Sequence, residues 1–418
     1  MSGKKTRILF ITTLNLATNP RLVKEIELAL KEEYDVDIIC FEFNNWSYKN
    51  NLVLKEKLKR ASICSIPAGR ELYFQWFFST INEKLCRFLG RFISLPEKML
   101  SQAVSRRSTL LIKKIKQSKK PDLIIAHNPG ALYPSLWAAR YFCCSFGFDV
   151  EDYHPGEGHN RHLQMLQKML VKKVLPKANY VSFASPLIRK NILTDCNTAI
   201  DPDQWVTVLN SFPSSEFMDL VINNDRKLNL VWFSQNINSG RGLELIIPII
   251  DKYEDLLTLN LFGNLKKDFF EAYLKNKKGL KLHGSLTQNE LHKMLAQFDI
   301  GLAIEPGKDL NNQLAVSNKL IAYLQSGLYV IASNTQAQQS FLNSFPEHGI
   351  CFDLKNNNFE QVLIQSYNRL AEIRNNKKYR YNHFQKNNWE NESQKLSDVW
   401  RKLICEKNSF NIAAFSPF

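Results

Sequence analysis

The seventeen residues Ser317-Asn-Lys-Leu-Ile-Ala-Tyr-Leu-Gln-Ser-Gly-Leu-Tyr-Val-Ile-Ala-Ser333 decide the fold class. Ser317 is placed to cap a helix over Asn318 to Gln325, Gly327 closes that helix, and Tyr329 to Ser333 follows as a strand. Upstream the same alternation repeats. Leu228 to Phe233 reads as a strand, Ser234 to Gly242 as a loop, and a helix starts at Leu243. Leu257 to Phe262 ends at Gly263, Leu280 to His283 ends at Gly284, a helix covers Asn289 to Gln297, and Ile300 to Ile304 is a further strand. The first half has the same rhythm: a strand at Ile8 to Thr13, a helix from Asn19-Pro20-Arg21 to about Lys31 with Asn as cap and Pro at its first position, then strands at Val36 to Phe41, Pro121 to Ala126, Phe146 to Val150 and Tyr180 to Phe183. Short strands alternating with amphipathic helices predict parallel sheets flanked by helices, here two doubly wound, Rossmann-like α/β domains in tandem. We place them at residues 1–212 and 225–390, joined near Ser211 to Asn224, where Pro213 and a polar run interrupt both patterns.

Length and composition agree with this division. At 418 residues, with 44% hydrophobic and 23% charged side chains, the chain can bury two separate cores, which excludes a single small module and wholesale disorder. The eight cysteines are scattered without a C-x-x-C pair, as expected of reduced thiols in a cytoplasmic protein. Met1 to Lys5 leads straight into an apolar strand, and no uncharged apolar run reaches about eighteen residues, so we expect a chain neither secreted nor membrane-spanning. The net charge of +15 suits an anionic partner. A nucleic acid is not expected, because neither a recognition-helix motif nor an aromatic RNP-like strand is present. Between Arg70 and Lys120 stand twelve basic and three acidic residues, interleaved with Tyr73, Phe74, Trp76, Phe77, Phe78, Phe88 and Phe92. That pattern fits peripheral contact with an anionic membrane surface, and equally an ordinary helical pair with a solvated basic face.

In doubly wound sheets ligands gather beyond the carboxyl ends of strands, so the loops there are the ones to read. Three cations stand where helices begin: Arg21, Arg241 between Gly240 and Gly242, and Lys319. A cation in a first turn opposes the helix dipole unless an anion is present, and with one it completes a phosphate site. Arg241 and Lys319 together suit the two phosphates of a nucleotide diphosphate. His127, ending a strand before Asn-Pro-Gly, should turn its imidazole toward the crevice. The loop carrying Asp152, His154 and Glu157 lacks metal-ligand spacing and suits a hydroxylated acceptor, so no metal site is expected. No P-loop or G-x-G-x-x-G fingerprint occurs.

These motifs resemble the GT-B glycosyltransferases, in particular the family 4-like group, over nearly the whole chain. Trp232-Phe-Ser-Gln-Asn-Ile-Asn-Ser-Gly-Arg-Gly-Leu-Glu244 looks like that family's diphosphate loop, with Arg241 as its basic residue. Ser317 to Ser333 looks like its donor-binding helix and strand, and Pro121 to Pro129 like the strand whose terminal His, here His127, lies near the transferred sugar. The resemblance implies two domains facing across a cleft, the first on the acceptor side, the second holding the nucleotide sugar, with a C-terminal helix, residues 391–407, packing back on the first. It implies transfer of a sugar from a nucleotide-diphosphate sugar to a glycan or lipid-linked acceptor, with retention and without a metal cofactor, in surface polysaccharide or glycoconjugate biosynthesis. His127, Arg241 and Lys319 would then be catalytic. Gln235, Gly240, Ser317, Asn318 and Tyr323 would face the donor, and Asn19, Arg21, Asp152, His154 and Glu157 the acceptor. Two departures stand out: Gln235 replaces a frequent Arg, and the family's E-x7-E carboxylates fall at Leu314 and Ala322. A silent GT-B scaffold and a sugar-nucleotide epimerase are the competing readings.

Overall fold

The computed structural model describes residues 5–197, 204–217, 220–356 and 358–413. Residues 218–219 of the expected connection lie outside the described residues. The chain divides into two compact units, Met1–Val208 with Ser393–Phe418, and Leu209–Glu392.

In the first unit seven strands form one sheet: β1 (Arg7–Thr12), β2 (Asp35–Glu42), β3 (Ser62–Pro67), β4 (Leu123–His127), β5 (Ser145–Val150), β6 (Tyr180–Phe183) and β7 (Trp205–Thr207). Their order is β3-β2-β1-β4-β5-β6-β7, and every pairing is parallel. Order reverses between β1 and β4, whose registers bring Thr12 beside His127 at the carboxyl edge. The helix Pro20–Lys31 starts where the sequence places it, with the Asn19 side chain accepting from the Leu22 N–H and Pro20 inside the first turn.

In the second unit six strands, β8 (Leu228–Ile237), β9 (Leu257–Leu265), β10 (Leu280–His283), β11 (Ile300–Ala303), β12 (Tyr329–Ser333) and β13 (Gly349–Phe352), lie in the order β10-β9-β8-β11-β12-β13. All pairings are again parallel, and the switch point falls between β8 and β11. Neighbouring residues along a strand point to opposite faces, and both faces are covered. Leu230, Trp232, Tyr329 and Ile331 pack in one cluster, while Val231, Val330 and Ala332 pack in another. Burial on both sides is why these strands read as near-continuous apolar runs. The helix Asn318–Gln325 begins at Ser317, whose side chain accepts from the Lys319 N–H, and stops at Gly327. Gly327 has φ +72°, and a Cβ there would stand 2.9 Å from the Lys377 carbonyl oxygen, so both conformation and space ask for glycine.

At the end of β8 the structure departs from the sequence reading. Ser234 to Ile237 is not loop: β8 continues past an irregularity between Phe233 and Asn236, pairing Asn236 with Asn264 and Ile237 with Leu265.

Candidate functional site

The second sheet gathers its polar groups at the switch point. Beyond β8, Gly240 (φ +78°) and Gly242 (φ +82°) bracket Arg241 in a turn that enters the helix Leu243–Lys252. Gly240 N–H donates to Glu244 Oε1 at 2.8 Å, so the acidic group of the first turn is Glu244 and Arg241 stands just before the cap. Arg241 is exposed and none of the described hydrogen bonds or ion pairs holds it. Gln235 is exposed, and its carbonyl accepts from Asn264 Nδ2 at 3.0 Å. Beyond β11 the chain runs through Glu305 to Lys308, and a Cβ added at Gly240 would meet Lys308 Nζ at 2.9 Å, so the two loops touch.

Lys319, in a first turn without an acidic residue, finds its anion across the crevice. Its Nζ lies 2.7 Å from Glu305 Oε1, the oxygen that also accepts from Ser317 Oγ at 2.9 Å. Glu305 is fixed in turn by its backbone, whose N–H donates to Ser333 Oγ at 2.8 Å. Lys319 Nζ also stands 5.8 Å from the centre of the Trp232 ring. Leu314 and Ala322 are both buried, so the carboxylate at this switch point comes from Glu305. Asn318 is exposed and accepts from Asn210 Nδ2 at 3.1 Å. Tyr323 is a correction: it does not face a ligand. Its ring lies against Gly301 of β11 and edge-on to Phe233, wholly buried, because the helix face that carries it is the one packed on the sheet.

The first sheet buries its charged residues at the corresponding place. Arg21 does not present its charge to solvent: it is fully buried, with Nε donating to Asp149 Oδ2 at 2.8 Å and Nη1 to the Val208 carbonyl at 2.8 Å. Burial works against the guanidinium charge, but Asp149 outweighs it and keeps the pKa raised, while Arg21 holds Asp149 below the usual carboxylate range against its own burial. Ser182 Oγ completes the site by donating to Asp149 Oδ1 at 2.6 Å. His127, too, turns inward rather than toward the crevice, with Nε2 3.2 Å from Glu25 Oε2 and Nδ1 3.6 Å from Asp149. Burial alone would lower its pKa, yet the neighbouring carboxylates, Glu25 first, raise it. Asn19 is likewise buried, its oxygen taken by the helix cap and its Nδ2 3.5 Å from Asn128 Oδ1.

Asn128 is the group that sequence reasoning passed over. It has φ 70° and ψ 145°, a conformation nearly confined to glycine, and Thr12 Oγ1 donates to its Oδ1 at 2.6 Å. Beyond β5 the loop brings Glu151, Asp152, His154 and Glu157 together. His154 Nδ1 is 2.7 Å from Glu157 Oε2; burial opposes its charge, but that contact and the nearby carboxylates raise its pKa. Burial, then the charges of Asp152 and Asp149, push Glu151 up to about 7. Among the described residues Glu25, His127 and Asp149 bring metal-ligand atoms within 4.8 Å of one another, as do Glu347, His348 and His383. In the first set Arg21 and His127 already face the carboxylates.

No protein-family model matches the sequence, and no curated protein matches it. Solved structures do match in shape over the whole length. Sucrose-phosphate synthase from Thermosynechococcus elongatus superposes with a TM-score of 0.66 at 13% identity, covering 96% of this chain and 100% of that one. HepE of Anabaena in complex with UDP gives 0.63 at 12% identity, with 95% and 100% covered. The lipopolysaccharide outer core galactosyltransferase WaaB gives 0.61 at 11% identity, with 95% and 99% covered. At such identities the likeness shows the fold alone, and the chain has the fold of these structures, with two parallel α/β sheets in tandem.

Proposed function

We propose that this chain is a glycosyltransferase that takes a sugar from a nucleotide-diphosphate sugar and moves it to a glycan or lipid-linked acceptor in the assembly of a surface polysaccharide or glycoconjugate. The observation that carries the reading is Arg241: a cation with no anion among the described residues, on a glycine-bracketed turn beside Lys308, at the switch point that also holds Lys319. Solved neighbours that hold UDP share this architecture. The donor's bond from the anomeric carbon to the diphosphate oxygen breaks, its electron pair leaves with the diphosphate, and the acceptor oxygen bonds the same carbon. Attack from the leaving-group side retains configuration and lets the departing phosphate oxygen accept the acceptor's proton. Charge thus builds on the diphosphate, where Arg241 and Lys319 meet it, and no metal is required. Glu305 holds Lys319 ready and shares it once phosphate arrives. The loop with Asp152, His154 and Glu157 offers the acceptor its hydrogen bonds.

Thermal shift against a series of nucleotide diphosphates and nucleotide sugars tests this, since a ligand that binds only the folded state raises its apparent stability. One nucleotide should stabilise the chain, the effect should vanish in Arg241→Ala and Lys319→Ala, and turnover with that donor should fall about 10²-fold in each. No shift with any nucleotide, or a shift that both variants retain, overturns the assignment.

A further inference from the structure

The helix Tyr73–Leu89 is amphipathic in the wrong sense for a packed helix. On the side it turns to the protein only the small Ser79 and Cys86 are fully buried, with Trp76, Asn82 and Glu83 half-buried, and Gly90, just beyond its end, sits so close to Leu166 that a Cβ would stand 2.8 Å from that side chain. The side it turns outward is large and apolar. Phe74, Phe78, Ile81, Leu85, Phe88 and Phe92 recur at alternating steps of four and three residues, and all six are exposed, Phe74 at 75%, Phe78 at 65% and Phe92 at 71%. Tyr73 and Phe77 stack beside them with ring centres 6.0 Å apart, and Ile93 prolongs the stripe. A contiguous apolar face of this kind marks a surface with a partner.

The charges around it say which partner. Arg70, Lys84, Arg91 and Lys98 are exposed and lie within the stripe's sequence or within six residues of it, with Arg70 lying 4.6 Å over the Trp76 ring. Of the three acidic residues between positions 70 and 120, Glu83 is paired with Arg87 and Glu97 with Lys177, which leaves Glu71. A second copy of the chain would bring these cations against their own duplicates. Among the described residues no helix is long and apolar enough to cross a membrane, so the stripe can only lie along one. We infer that the outward face of the helix Tyr73–Leu89, prolonged through Ile93, docks the chain on an anionic bilayer, its aromatic rings in the headgroup layer and Arg70, Lys84, Arg91 and Lys98 on the lipid phosphates. This holds independently of the transferase reading.

The test is co-sedimentation of the full chain with vesicles of phosphatidylcholine alone and of phosphatidylcholine with an equal part of phosphatidylglycerol. The native chain should pellet with the anionic vesicles, stay in solution with the neutral ones, and come off as salt rises. Phe78→Ser and Phe92→Ser should each weaken binding about tenfold or more, and Lys84→Ser about fivefold, with unchanged thermal midpoints because all three positions are exposed. Should a variant fold poorly, the salt dependence of the native chain still decides. No pelleting with anionic vesicles overturns the inference. So does a concentration-dependent dimer that Phe78→Ser abolishes while vesicles remain unbound, because a second copy then covers the face.

Discussion

A carboxyl group half-buried beside two other carboxylates is less costly protonated than charged, and Glu151, pushed up to about 7, is in that position. The folded chain therefore binds a proton here more tightly than the unfolded chain. This contribution to stability is whole below the ordinary glutamate range and is lost as pH rises toward and through 7. Glu151→Gln, which never charges, should be close to native in stability near pH 4 and more stable than native above about pH 7. Thermal midpoints of both chains across that range check it; parallel curves would show that Glu151 ionises as it does in water. The three cations at helix starts teach a related lesson. Each poses the same question of where its anion is, and the answers differ: Asp149 for Arg21, Glu305 for Lys319, and none among the described residues for Arg241. The same sequence position thus yields a buried structural pair, a held cation and an open one.

At the scale of elements, β11 and the helix Asn318–Gln325 meet through the missing side chain of Gly301, where an added Cβ would stand 2.2 Å from the Tyr323 ring. Gly301→Ala should cost about 1–3 kcal/mol through overpacking. Gly284→Ala, whose Cβ would meet nothing within 4 Å, should stay within about 0.5 kcal/mol of native in the same denaturant titration. Elements of this kind were legible beforehand. β6, β12 and the helix Asn318–Gln325 stand at the residues their apolar runs, caps and glycines mark, because strands buried on both faces and capped helices announce themselves locally. β3 was not legible: it is an edge strand, partly exposed, with Ser62 and Ser65 interrupting its apolar residues. The far end of β8 looked like loop because Ser234, Gln235 and Asn236 are polar, yet backbone pairing with β9 holds it. The stretch Arg70 to Lys120 reads equally as a membrane contact and as a helical pair with a solvated basic face, because pattern alone does not say which side of the helix Tyr73–Leu89 faces out. The placement of Arg241 and Lys319 beyond the strands of the second sheet was legible from their position after apolar runs. Glu305 and Asn128 were not, because a partner fourteen positions away and a backbone angle leave no local pattern.

At the scale of the molecule, the chain passes between its two units twice, after Val208 and after Glu392. The second passage runs inside the helix Trp389–Ala413, which carries Trp400 into the core of the first unit. Trp400 is fully buried, its Nε1 donates to the Tyr180 hydroxyl at 2.8 Å, and its ring stands edge-on to Phe10 with centres 6.3 Å apart. Trp400→Ala should destabilise the first unit by about 3–5 kcal/mol. Calorimetry should show that loss in the transition of the first unit while leaving nucleotide-dependent stabilisation of the second in place.

The residues that meet in that core, Tyr180 and Trp400, are 220 positions apart. A ribosome delivers them in order, and everything from Leu209 to Glu392, the whole of the second unit, emerges in between. The second unit, continuous in sequence, can complete itself during synthesis. The first, begun earlier, has to wait with the Trp400 pocket beside β6 unfilled until the helix that follows the second unit arrives.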